Sequence, residues 1–499
     1  MLLDEAYLRH ALYYIARLGQ LGLAYKDRTD ALQSLSDLAL DWAQIESGQR
    51  WAVSNYAPFG RKCCSDYARV AASLLSLRQS AADRVLWLTH ALEAARYLND
   101  IRSQAEHLGN LGIAYEDLGR FELSRDSLCQ AIDLDVICQD ANLEQLHAGQ
   151  LGLAYIGLAK YQDASKYLTR ALSLATRLGN LPAQGIHFGN LGLLYGELGD
   201  YPEAIEMHKR ALKISREVGD RRGEGRDIGN LGVIYYQTGL YPETENCFQR
   251  SLAICRQLGD RYGEALDLSN LTGLYETLCQ YEKAVQAGEE ALKVCSAIGA
   301  SEREGQTLTS LGLVSQRLRL YDVAEAFIRR AIDLAEATRD TRGKAFRLRA
   351  LAETEFLSGD WKRAARDAQE SRGIAHEIGT KDIEADALTT LAAIDNATGH
   401  FAAAIQHADR ALAIGRELGT PHMQSAARHE LERACVALGK ERDCVLQIQN
   451  VVDRKHEEQT LSEAPGERSE LGTRSAREAT LVDRSEQIRA KLRELSRGL

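Results

Sequence analysis

No stretch of about eighteen uncharged apolar residues occurs in this chain of 499 residues, so no membrane span is expected. No Gly-x-x-x-x-Gly-Lys-Ser/Thr occurs either, which removes the phosphate cradle of a P-loop nucleotide site. Ten cysteines are present, but none form a Cys-x-x-Cys pair, and Cys63 and Cys64 are adjacent. Most of them, such as Cys129, Cys247, Cys255, Cys279 and Cys295, fall inside helical segments, so free thiols in a reducing cytoplasm are expected rather than disulfides or zinc. Clustered cationic charge is lacking too. The net charge is −10, which argues against a nucleic-acid partner, whose phosphates need clustered Lys and Arg. The start, Met1 to Tyr25, carries Asp4, Glu5, Arg9 and Arg17 within its apolar stretches and does not read as a secretion signal. No strand pattern and no Ser-His-Asp spacing appears, so an enzyme is not expected and no cofactor is implied.

What the chain does have is a period. Gly109-Asn110-Leu111-Gly112, Gly149-Gln150-Leu151-Gly152, Gly189-Asn190-Leu191-Gly192 and Gly229-Asn230-Leu231-Gly232 recur every 40 residues, followed by Tyr115, Tyr155, Tyr195 and Tyr235. An aromatic column shares the interval: Phe121, Tyr161, Tyr201, Tyr241, Tyr281, Tyr321, Trp361 and Phe401. Small residues follow at Ala164, Ala204, Ala284, Ala324, Ala364 and Ala404, and again at Ala131, Ala171, Ala211, Ala291, Ala331 and Ala411. Small side chains let two helices approach, and the aromatic fills the gap beside them. Gly199-Asp200 and Gly359-Asp360 close a first helix and cap a second; Gly219-Asp220 and Gly259-Asp260 do the reverse. Four of only six prolines, Pro182, Pro202, Pro242 and Pro421, sit at predicted helix starts, where a missing N–H costs little. A constant period of this length implies a solenoid of stacked helix pairs.

The order Leu-Gly-x-x-Tyr, aromatic, Ala, Ala resembles the tetratricopeptide repeat. The 40-residue unit and the turn Gly219 to Glu224 are similar to its longer variant in kinesin light chains, Pins-type adaptors and bacterial STAND signalling ATPases. The resemblance implies an all-α, right-handed superhelical solenoid. Its expected extent is residues 71–452, about nine helix pairs. Residues 1–70 break the period and form an irregular helical lead-in, with roughly ten extra residues placed across Gly48 to Gly60. Within it, Leu32 to Trp51 is similar to the segment joining ATPase and repeats in bacterial NB-ARC proteins. Residues 453–499 are charged; the part from Glu457 to Val482 lacks aromatics and is expected to be largely disordered, with a short amphipathic helix at 483–496 carrying Ile488, Leu492 and Leu495.

His107, His147 and His187 form a column at the repeat interval. Ligands one helix apart span too far to converge on a metal, so hydrogen bonding between helices is expected, with protonation tuning stability near pH 6. Carried over from the family's motif, the groove positions include Ile113, Leu146, Leu153, Ile156, Ile186, Leu193, Arg226, Val233 and Tyr236, with Glu106 and Glu116 at the start and Gly149, Gly189 and Gly229 leaving space. These apolar side chains either line an open groove or pack against the adjacent first helix. The asparagine ladder of the Pins-type adaptors is missing: Ile113, Leu153, Leu193, Val233 and Leu313 stand in its place. The expected function is a cytoplasmic scaffold or adaptor that binds a segment of a partner protein in this groove. The alternative is a sensor that binds a peptide or foreign protein and signals to a separate effector.

Overall fold

The computed structural model describes residues 2–27, 31–75, 79–338, 340–418, 420–438 and 475–498. Among them every regular element is helical. Two compact units divide the chain, residues 1–240 and 241–499.

The first unit opens with α1 (Leu2–Asp27), α2 (Ala31–Ser54), α3 (Pro58–Leu75) and α4 (Ala81–Tyr97). The repeat rhythm follows with α5 (Ile101–Asp117), α6 (Phe121–Cys138), α7 (Ala141–Gly157), α8 (Tyr161–Arg177), α9 (Leu181–Glu197), α10 (Tyr201–Glu217) and α11 (Arg221–Gln237). The second unit continues with α12 (Tyr241–Leu258), α13 (Arg261–Thr277), α14 (Tyr281–Ile298), α15 (Ser301–Arg317), α16 (Tyr321–Thr338), α17 (Thr341–Ser358), α18 (Trp361–Glu377), α19 (Lys381–Thr398), α20 (Phe401–Glu417) and α21 (Pro421–Ala437). A last helix, α22, spans Ser475–Arg497. The expected open stretch lies outside the described residues up to position 474.

From Ile101 to Pro421 a helix begins every 20 residues. The reason is local. Asp100, Asp200, Asp260, Asp340 and Asp360 each accept a hydrogen bond from a backbone N–H of the first turn. In the described turns between α4 and α20 one residue lies in the left-handed region, glycine at Gly119, Gly179, Gly199 and Gly219, but also Asn99, Gln139, Ala159, Cys279 and Arg319. Inside a pair the second motif glycine admits a leucine from the partner helix. A Cβ on Gly112 would lie 2.5 Å from Leu128 Cγ, and one on Gly152 2.4 Å from Leu168 Cδ2. Both leucines and the alanine columns at 164, 171, 204 and 211 are fully buried.

The lead-in departs from expectation in one respect. Gly48 and Gly60 do not bound an inserted loop; they lie within α2 and α3. The extra residues lengthen α1 and α2 to 26 and 24 residues, against 17 or 18 in the array helices. Gly48 is there for contact: a Cβ would meet Tyr67 Oη at 2.1 Å, and that buried tyrosine donates to the Ala11 carbonyl at 3.2 Å.

Among the described residues eight cysteines are free thiols, five of them buried, with Cys279 exposed in the turn before α14.

Candidate functional site

In the first unit the first helices α5, α7, α9 and α11 pack successively on one another. Their mutual seam is polar and buried. His107 Nε2 lies 2.9 Å from Ser65 Oγ of α3, His147 Nδ1 2.7 Å from Asp135 Oδ2, and His187 Nε2 2.5 Å from Gln145 Oε1. Where the column changes to Asp227, the Ser215 hydroxyl donates to Oδ2 at 2.7 Å. The histidines thus bond between helices as their spacing suggested. Among the described residues no group of three His, Cys, Asp or Glu could hold a metal ion. Burial pushes His107 and His187 down to about 4, so they do not titrate near pH 6 as their ordinary value would suggest.

The first motif glycines serve this seam. A Cβ on Gly109 would lie 2.1 Å from His147 Nε2, and one on Gly149 2.7 Å from His187 Cε1. Space expected to open into a groove at Gly149 is filled by the next helix's imidazole. Gly189 is looser, with Asp227 Oδ1 at 3.7 Å.

Beside the seam runs an apolar strip. Leu146 and Ile186 are 44% and 43% exposed, and Leu193, Val233 and Tyr236 are 37–39% exposed. These five sit on α7, α9 and α11. Ile113, Leu153 and Ile156 are half-buried; Ile156 packs against a cluster with Leu191 and Leu194, so its side chain serves the helix stack as well. Arg226 is exposed and places Nη2 3.5 Å from Asp227 Oδ1. Both readings of these positions therefore hold for different residues: part of the row packs and part faces water.

Family models of the tetratricopeptide repeat match residues 105–135, 144–217 and 228–297. These stretches are tetratricopeptide repeats. No curated protein matches it significantly. Among solved structures it is similar to a Rap protein complexed with Competence and Sporulation Factor, at 13% identity and TM-score 0.48, over 76% of this chain and 99% of that one. It is similar to the apo quorum sensor NprR of B. thuringiensis, at 16% identity and TM-score 0.48, over 66% and 97%. A STAND protein with a tetratricopeptide repeat sensor from Pyrococcus horikoshii gives 19% identity and TM-score 0.46, over 68% of this chain and 54% of that one. Repeats of this kind build extended interaction surfaces. Among the described residues no helix is long and apolar enough to cross a membrane.

One property of this tetratricopeptide-repeat surface was not legible in the sequence. Glu116, at the α5 end of the strip, has Oε2 buried with no hydrogen-bond partner. Burial, and then the nearby Asp117 charge, push its carboxyl up to about 7. Its position was visible in the repeat register; its burial depends on neighbours that no spacing rule supplies.

Proposed function

We propose that this protein is a non-enzymatic scaffold whose first unit binds an apolar segment of a partner protein along α7, α9 and α11. The observation that carries the reading is the strip Leu146, Ile186, Leu193, Val233 and Tyr236, apolar side chains more than a third exposed on successive first helices. A lone exposed leucine needs no explanation, but a row of them at the repeat interval costs solubility unless something covers it. An amphipathic helix suits the strip better than an extended peptide, because an extended peptide wants polar side chains to hold its backbone, and Ile113, Leu153, Leu193 and Val233 offer none. Each of the five strip side chains is already more than half buried, so covering the remainder contributes about 0.6–1.2 kcal/mol apiece before ordering costs; the five alone support only weak binding, and a partner gains the rest from residues flanking the strip.

The test is the double variant Leu146→Asp with Leu193→Asp. Both positions are exposed, so the new carboxylates face water and the array keeps its helicity and its unfolding transition. Partners captured by the full chain from its native cell are cross-linked and their contact peptides mapped. The reading requires cross-links on α7 and α9 and loss of capture in the folded double variant. Undiminished capture refutes it, as does an array that collapses on substitution. Binding of this apolar kind weakens only modestly with added salt.

A further inference from the structure

The second unit breaks its own repeat pattern at one place. The third residue of the second helix is exposed and mostly charged in the neighbouring repeats: Asp163, Glu203, Glu243 and Lys283. In α16 it is Val323, and it is buried. The turn residue three positions earlier is exposed as Lys160, Asp200, Leu240 and Gln280, yet Leu320 is buried. The fifth position is partly exposed as Ser165, Ile205 and Glu245, yet Val285 of α14 is buried. All three departures fall in one apolar cluster, and that cluster holds Leu492 of α22, fully buried, with Ile488 and Leu495 packed against it. The helix α22 contacts α14, α15 and α16. Lys491 Nζ sits 3.1 Å from Glu289 of α14.

This face is built for a helix: Val285, Leu320 and Val323 are buried at positions that the neighbouring repeats leave exposed or partly exposed, and all three share a cluster with α22. The hold is light, however. Over 486–497 the apolar contact comes from Ile488, Leu492 and Leu495 alone, and the remaining residues are polar, charged or small. The Lys491–Glu289 ion pair is partly exposed on both sides, so it adds little. A helix of this composition has little stability of its own away from a surface. Residues 438–474 tether it, so its docking is intramolecular and needs no high affinity.

We propose that the α14–α16 face is a helix-docking site with α22 as its exchangeable resident. A partner's amphipathic helix with apolar residues at i, i+4 and i+7 and a basic residue beside them competes with α22 for this face. The site is separate from the strip on α7, α9 and α11 and does not depend on it.

The experiment uses the full chain and a fluorescent synthetic peptide of residues 475–497. Leu492→Asp releases the resident without touching the array. The peptide then binds the variant at least tenfold more tightly than it binds the wild type, where α22 already occupies the face. Adding Val323→Glu abolishes that binding. This change restores the acidic residue that Glu203 and Glu243 place in the same column, so the fold tolerates it. A peptide with Lys491→Glu binds a few-fold more weakly and recovers on a chain carrying Glu289→Lys. Equal peptide binding to wild type and Leu492→Asp overturns the proposal, as does binding that ignores Val323→Glu. A wild-type dimer that Leu492→Asp dissociates also overturns it, because α22 would then seat on a second copy.

Discussion

His208→Leu should stabilise this protein, and more so in acid. His208 occupies the column that holds Leu128 and Leu168 in the two preceding repeats, and like them it is fully buried. Neither ring nitrogen has a hydrogen-bond partner among the described residues. Its ring meets Gly192 as those leucines meet Gly112 and Gly152: a Cβ on Gly192 would lie 2.7 Å from His208 Cε1. Leucine therefore fits a slot that this fold already fills with leucine twice. Removing unmade hydrogen bonds from the interior should recover about 1–3 kcal/mol at pH 8. A second contribution depends on pH. Burial, and then the Arg226 charge, depress His208 from 6.5 to about 4. Above pH 6.5 the ring is neutral folded and unfolded, and pH does not matter. Between 6.5 and 4 the unfolded chain takes up a proton that the folded chain refuses, so wild-type stability falls as pH falls. At pH 5 this amounts to about 2 kcal/mol, which the leucine variant does not lose. Urea unfolding at pH 8 and pH 5, followed by far-UV circular dichroism, reads both quantities. A variant no more stable than wild type at pH 8, with the same loss between the two pH values, would refute the reasoning.

Other outcomes follow from the same geometry. Ala159→Gly removes a Cβ from a residue at φ 54° in the turn before α8, and should add up to about 1 kcal/mol in the same denaturation assay. Gly149→Val drives a side chain into the His187 ring and should cost about 1–3 kcal/mol; pairing it with His187→Ala should return part of that, which a double-mutant cycle measures. Glu116→Gln should flatten a pH dependence of opposite sign to that of the histidines. The folded carboxyl sits near 7 and the unfolded one near 4.5, so wild-type stability is full below 4.5 and declines as pH rises through 7. Melting curves from pH 4 to 8 compare the two proteins.

The helices were legible because the array punctuates itself every 20 residues: several starts carry an aspartate cap, the described turns hold a left-handed residue, and aromatics and glycines recur at fixed places. The contents of the candidate site were only partly so. The register placed Leu146, Leu193 and Val233 on one face, but whether a given side chain packs or faces water depends on the next helix, as half-buried Ile156 shows. Gly149 was misread as open space because the group that fills it comes from 38 residues further along, His187. The docking of α22 left a trace that was readable in principle, since Leu320 and Val323 are apolar where their columns are mostly polar. Only the contact shows what that trace was for.

The polar joints that the first helices make with their neighbours have a consequence for how such an array can change. His147 fits the Gly109 hollow and reaches Asp135; Asp227 needs Ser215; Thr307 needs Ser269 at 2.6 Å. Each joint is a lock with its own key. Two repeats with the same outline are therefore not interchangeable: moving the α9–α10 pair to another position would set His187 against a neighbour lacking Gln145 and strand its imidazole. Evolution can redecorate the exposed strip residue by residue, but the order of the repeats is written into the joints.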